Sequence, residues 1–148
     1  MLSSGILFIN AKFQLSLLQP PTVVGDHLIF GWTGKDWAYA EAPPGTVFSV
    51  NARTGKREWT FDAIPADICK QTGTANVWTQ MSADVAHGLI YLPVPSPSPN
   101  YWGGNRKDAI PLGTSTTALD VNTGNFAATN GLAVRVLYAD ICRLLNHS

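Results

Sequence analysis

Thr46-Val-Phe-Ser-Val-Asn51, Ala52-Arg-Thr-Gly-Lys56 and Arg57-Glu-Trp-Thr-Phe61 follow one another as strand, turn and strand. β-Branched and aromatic residues fill both flanks, as a pleated, half-buried surface requires. Thr54-Gly55 lets the chain enter the left-handed region without a Cβ penalty. Asn51 is placed to fold its side chain back onto the turn amides. Trp59, just beyond the turn, offers a large flat ring for burial between neighbouring sheets.

Upstream, Thr22-Val-Val-Gly-Asp-His-Leu-Ile-Phe-Gly-Trp32 predicts strand, tight turn at Gly25-Asp26 and strand. A polar and aromatic loop joins this hairpin to the first, giving a unit of four strands. The plan recurs downstream. Trp78 to Ala83 and Leu89 to Val94 flank a turn around Asp84 to Gly88, and a long loop follows from Pro95 to Gly113. Thr116-Thr-Ala-Leu-Asp-Val121 then enters the turn Asn122-Thr-Gly-Asn125. Ile29 matches Ile90, and Gly55 matches Gly124. A repeated unit of four antiparallel strands marks propeller blades, so the expected class is all-β, a β-propeller. A generic β-sandwich with two similar hairpins is the alternative.

Composition agrees with strands and turns. The 148 residues carry no net charge, and only 14% are charged, against roughly 25% in an average soluble protein. A hydrophobic share of 45% is enough for a real core. The neutral balance gives no electrostatic footprint for nucleic acid or for anionic lipid. Cys69 and Cys142 define neither a metal site nor a disulfide framework, and His27, His87 and His147 lack metal-ligand spacing. The apolar run Ile6 to Ile9 has no basic segment before it, and no stretch reaches the ~18 apolar residues of a membrane span. Any export signal is therefore expected outside this chain.

The turn Ser49-x-Asn51-x-x-Thr54-Gly55-Lys56-x-x-Trp59 resembles the tryptophan docking motif of the PQQ-dependent quinoprotein dehydrogenases. A second copy, Ala118-x-Asp120-x-x-Thr123-Gly124, fits better at its start, but Ala128 holds the tryptophan place. Asn76-Val-Trp78, Gly88-Leu-Ile-Tyr-Leu-Pro93, Asn100-Tyr-Trp-Gly-Gly-Asn-Arg106 and Thr117-Ala-Leu-Asp120 are similar, in order and spacing, to membrane-type quinoprotein glucose dehydrogenase and its quinate/shikimate relatives. The resemblance covers residues 20–125 and implies about two blades of an eight-bladed propeller. Residues 1–19 and 126–148 form divergent ends.

It also implies a site. Trp78 would be the floor for pyrroloquinoline quinone, since an indole face gives a flat conjugated ring a wide, rigid platform. Asn76 flanks it, and Arg106 beside Asn105 would contact a carboxylate. Asp36 and Ser98 would serve a Ca2+ or Mg2+ ion that bridges cofactor and protein. The implied reaction is oxidation of a sugar or alcohol hydroxyl, glucose-type, with electrons passed to a ubiquinone-type acceptor. The implied location is the periplasm or the periplasmic face of the inner membrane. A non-catalytic propeller scaffold, such as an outer-membrane assembly factor, is the competing class. Such a scaffold has no need of the Trp platform and the Tyr-Trp-Gly-Gly-Asn-Arg loop.

No catalytic residue is assigned. In the family, a His-His-Asp-Leu-Trp-Asp type segment supplies the general-base aspartate, and after Gly124 this chain has none. Val134, Leu137, Tyr138, Ile141, Leu144 and Leu145 fit one helical stripe instead. The expectation is a frame change or truncation near residue 125. A two-blade polypeptide of this kind is expected to be inactive alone.

Overall fold

The computed structural model describes residues 17–34, 44–68, 75–99, 110–127 and 136–137. They form two four-stranded antiparallel sheets. The first runs β1 (Thr22–Val24), β2 (His27–Phe30), β3 (Val47–Asn51) and β4 (Arg57–Phe61), each strand beside the next. The second repeats the order with β5 (Ser82–Asp84), β6 (Leu89–Val94), β7 (Ser115–Asp120) and β8 (Val136–Leu137). The propeller-blade plan expected from the repeat is the plan observed, and no helix occurs among the described residues.

The turns form for the reasons their residues suggest. Gly25, Gly55, Gly88 and Gly124 all have positive φ, and each sits in a turn between strands. Oδ1 of Asn51 accepts from the backbone N–H of Arg53 and of Thr54, both at 3.0 Å. Oδ1 of Asp120 accepts in the same way from Asn122 at 3.0 Å and Thr123 at 2.9 Å. The third turns even lean on the first turns alike: Ala52 N–H donates to the Asp26 carbonyl and Val121 N–H to the Gly88 carbonyl.

The core lies between the sheets. Along β6 and β7 burial alternates strictly, so Ile90, Leu92, Val94 and Leu119 share the inner face. They meet Val24, Ile29, Val47 and Trp59 of the first sheet in one cluster. Each fully buried Leu or Ile contributes about 1.5–3 kcal/mol by leaving water. Trp59 is 8% exposed, and its indole N–H donates across the interface to the Val121 carbonyl at 2.8 Å. On the outer face of the first sheet Phe30 stacks on Phe48 at 5.2 Å, with the Arg57 guanidinium 4.7 Å above the Phe48 ring.

Two expectations need correction. Strand β5 begins at Ser82, so Trp78 to Met81 precede the strand rather than forming part of it. Ala75, Asn76 and Val77 are buried in succession, which a pleated strand with one wet face does not allow. At the other end, Val136 and Leu137 pair with Thr116 and Ser115 as β8, not as part of a helix. The edge of β7 offers backbone N–H and C=O groups, and pairing with β8 satisfies some of them. The rest of the expected stripe lies outside the described residues. In the first sheet Val50 pairs with Arg57 and Val47 with Phe61. In the second Leu119 pairs with Phe126, yet on that same edge Ser115 pairs with Leu137. The second sheet's last strand is thus out of step with the repeat.

Candidate functional site

The third turns lie together at one end of the two sheets, where Trp59 reaches Val121. The two long connections, 31–46 between β2 and β3 and 95–114 between β6 and β7, leave from the opposite end. Residues 75–78 cross that opposite end on their way to β5, and glycines make the crossing possible. A Cβ on Gly31 would collide with the Val77 carbonyl, and one on Gly45 would collide with the Asn76 backbone. Any side chain at either position would push the segment off the sheet.

Hydrogen bonds fix what the glycines admit. Asn76 is 0% exposed, and its Nδ2 donates to the Trp32 carbonyl at 2.5 Å. The Trp32 indole N–H donates in turn to the Thr46 carbonyl at 2.9 Å, closing the mouth of the β2–β3 connection. Nε2 of Gln19 reaches the Val77 carbonyl at a long 3.4 Å. Met81 and Val77 are buried beside them.

Out of this anchored segment Trp78 projects, 45% exposed. Its side chain is therefore not enclosed in the core that holds Val77 and Met81. Asn76, two residues earlier, is fully buried. Ser98 is wholly buried in the stretch after β6, where Pro97 packs against Gly113 and Thr114 N–H donates to the Pro95 carbonyl. Asp36 and Arg106, like Asn105, lie outside the described residues. Trp78 and Asn76 are thus brought together, and both long connections that carry the other candidates start from the same end of the fold.

Among the described residues, the ion pairs lie near the turn end of the sheets. Asp26 pairs with Arg53 at 2.6 Å and Asp84 with His87 at 2.7 Å, each holding its carboxyl below the ordinary carboxylate range. Glu58 accepts from Ser49 at 2.9 Å and Asn51 at 3.2 Å, and lies 2.7 Å from His27. Burial works against its charge, but bonds from His27, Ser49 and Asn51 prevail and lower its pKa. These groups stitch strands and turns together. No group of three or more His, Cys, Asp or Glu able to hold a metal occurs among the described residues.

Sequence reasoning missed Gln19, Gly31, Trp32 and Gly45. Gly31 and Gly45 did carry a signal, since a glycine at a strand end often marks a close backbone approach. Nothing in the sequence named the segment that approaches.

The family model described as PQQ: Glucose/ethanol/alcohol dehydrogenase, beta-propeller domain, matches residues 4–127. The quinate/shikimate dehydrogenase (quinone) of Acinetobacter baylyi is 35% identical over 121 residues, 75% of this chain and 15% of that protein. The quinoprotein glucose dehydrogenase of Escherichia coli is 28% identical over 117 residues, 73% of this chain and 15% of that protein. Among solved structures, a europium-containing methanol dehydrogenase matches with a TM-score of 0.60 at 20% identity, over 76% of this chain and 24% of that one. That likeness concerns the fold. The chain spans about 15% of the length of these curated relatives.

Proposed function

The chain belongs to the PQQ glucose/ethanol/alcohol dehydrogenase β-propeller family, and from that premise we propose that its Trp78 segment is the cofactor floor of a quinone-linked dehydrogenase. The observation that carries the proposal is an indole 45% exposed directly after three buried residues, Ala75, Asn76 and Val77. A flat, rigid, half-open aromatic face suits a flat tricyclic ligand. Asn76, two residues before Trp78, is buried and bonded to the Trp32 carbonyl.

When bound, pyrroloquinoline quinone supplies a two-electron acceptor. The chain's own residues bind and orient. Trp78 sets the plane of the ligand. Arg106 is the proposed partner for one of its carboxylates, by a bidentate hydrogen bond. Asp36 and Ser98 are the proposed oxygen ligands for a Ca2+ or Mg2+ ion. The proposed substrate is a sugar or alcohol hydroxyl of the glucose type, and the proposed acceptor is a ubiquinone-type quinone. The relatives support this reading, one being named for quinate/shikimate and one for glucose. The proposed place of action is the periplasm or the periplasmic face of a membrane.

No residue here is proposed as the general base, and the chain alone is proposed to be inactive. Purified chain with PQQ, Ca2+ or Mg2+ and glucose is expected to reduce no dye, and cofactor-dependent reduction would overturn that. The floor itself is tested by titrating the chain with PQQ while following tryptophan emission. Quenching is expected in the natural chain and not in Trp78→Ala. Equal quenching in both would remove the floor assignment.

A further inference from the structure

Asn76 has the position of a site residue but not the exposure of one. It precedes the half-open Trp78 by two residues, is itself 0% exposed, and commits its amide donor to the Trp32 carbonyl at 2.5 Å. Gly45 packs on its backbone and Gly31 on the Val77 carbonyl, so close that neither position tolerates a Cβ. Trp32 is itself held by Thr46, and Gln19 reaches the Val77 carbonyl from the far side. Ala75, Asn76 and Val77 are buried in the three positions before the indole, and Met81 is buried three positions after it.

We infer that Asn76 is a positioning residue: its buried amide, seated in the Gly31–Gly45 cleft, fixes the plane of the Trp78 ring before any ligand arrives. This rests on the cofactor-floor reading for its purpose but not for its geometry. The chemistry requires an amide. A carboxylate at position 76 would set an oxygen against the Trp32 carbonyl, two acceptors with no proton between them. An alanine would leave that carbonyl without this donor and would free the rotation of the segment. A platform held in one plane binds a flat ligand without first being ordered, so loosening it lowers affinity by the fraction of time it is misplaced.

The test labels the full chain with 5-fluorotryptophan, which gives one 19F resonance for each of the 5 tryptophans. Trp78→Phe assigns the Trp78 signal and Trp59→Phe the Trp59 signal. Without PQQ, Asn76→Ala and Asn76→Asp are expected to shift and broaden the Trp78 signal while the Trp59 signal stays in place. Gln19→Ala, at the margin of the fold, is expected to move the Trp78 signal in the same direction by a smaller amount. With PQQ, the apparent Kd of Asn76→Ala is expected to rise about tenfold, the value for a floor correctly placed a tenth of the time.

A Trp78 signal unchanged in Asn76→Asp and in Gln19→Ala would overturn the positioning role. Should Asn76→Ala fail to fold, those two variants decide the matter alone. If PQQ moves no resonance of the natural chain, the cofactor-floor reading fails, and the ligand-free spectra still judge the clamp.

Discussion

The indole of Trp59 lies so close over Gly124 that a Cβ on that glycine would stand 2.5 Å from the ring carbon Cδ2. The fourth strand of one sheet thus reads the third turn of the next, with the Val121 carbonyl receiving the indole N–H. Gly55 occupies the equivalent turn of the first sheet at nearly the same φ, 69° against 68°. Nothing stands within 4 Å of a Cβ built there. The pair separates two effects of one substitution. Gly55→Ala is expected to cost about 1–2 kcal/mol, the strain of a left-handed alanine. Gly124→Ala is expected to cost about 1–3 kcal/mol more, because the ring must also move. Urea denaturation of the two variants measures the difference, and equal midpoints would mean that the docked ring contributes nothing.

Trp59 itself combines a filled volume with one hydrogen bond. Trp59→Phe is expected to lose about 1–3 kcal/mol, mostly from leaving the buried Val121 carbonyl without its donor. Trp59→Ala is expected to lose about 3–5 kcal/mol, since it adds a cavity between the sheets. The ranking is the check. A phenylalanine variant as unstable as the alanine one would place the whole effect in the bond.

Trp78 is expected to behave in the opposite way. Being 45% exposed, it can be replaced by alanine with a stability change within about 1 kcal/mol. A thermal melt of Trp78→Ala that falls as far as that of Trp59→Ala would show that the ring is a structural one.

Glu58 predicts a pH dependence. Its carboxyl sits below the ordinary value of 4.5, because bonds from His27, Ser49 and Asn51 outweigh burial. In the window between the lowered pKa and the ordinary one, the unfolded chain binds more protons than the folded one. The contribution of Glu58 is therefore complete above about pH 4.5 and is lost as pH falls through the folded pKa. Glu58→Gln is expected to be less stable at neutral pH and to lose less stability on acidification. Parallel melting profiles for the two chains from pH 7 to pH 3 would count against it.

Much of this was legible in the residues. The Thr-Gly turns and the capping by Asn51 and Asp120 depend on neighbours within a few positions, and local chemistry suffices for them. The recurrence of that pattern gave the propeller plan. Two readings depended on what lay farther off. Trp78 to Met81 looked like strand because its composition suits one, but the segment is held by Gly31 and Gly45, far back in the chain. Leu137 fitted a helical stripe and instead pairs, next to Val136, with the edge of β7.

The order of residues alone therefore determined the turns and most of the strands, which rest on periodicity and near neighbours, and it carried the resemblance to the family. Tertiary structure alone decided that Asn76 is buried and Trp78 open, though they stand two residues apart. Which of two adjacent polar or aromatic side chains meets water depends on the surface the segment is pressed against. That surface is made by Gly31, Trp32 and Gly45, whose spacing to Asn76 no local pattern records.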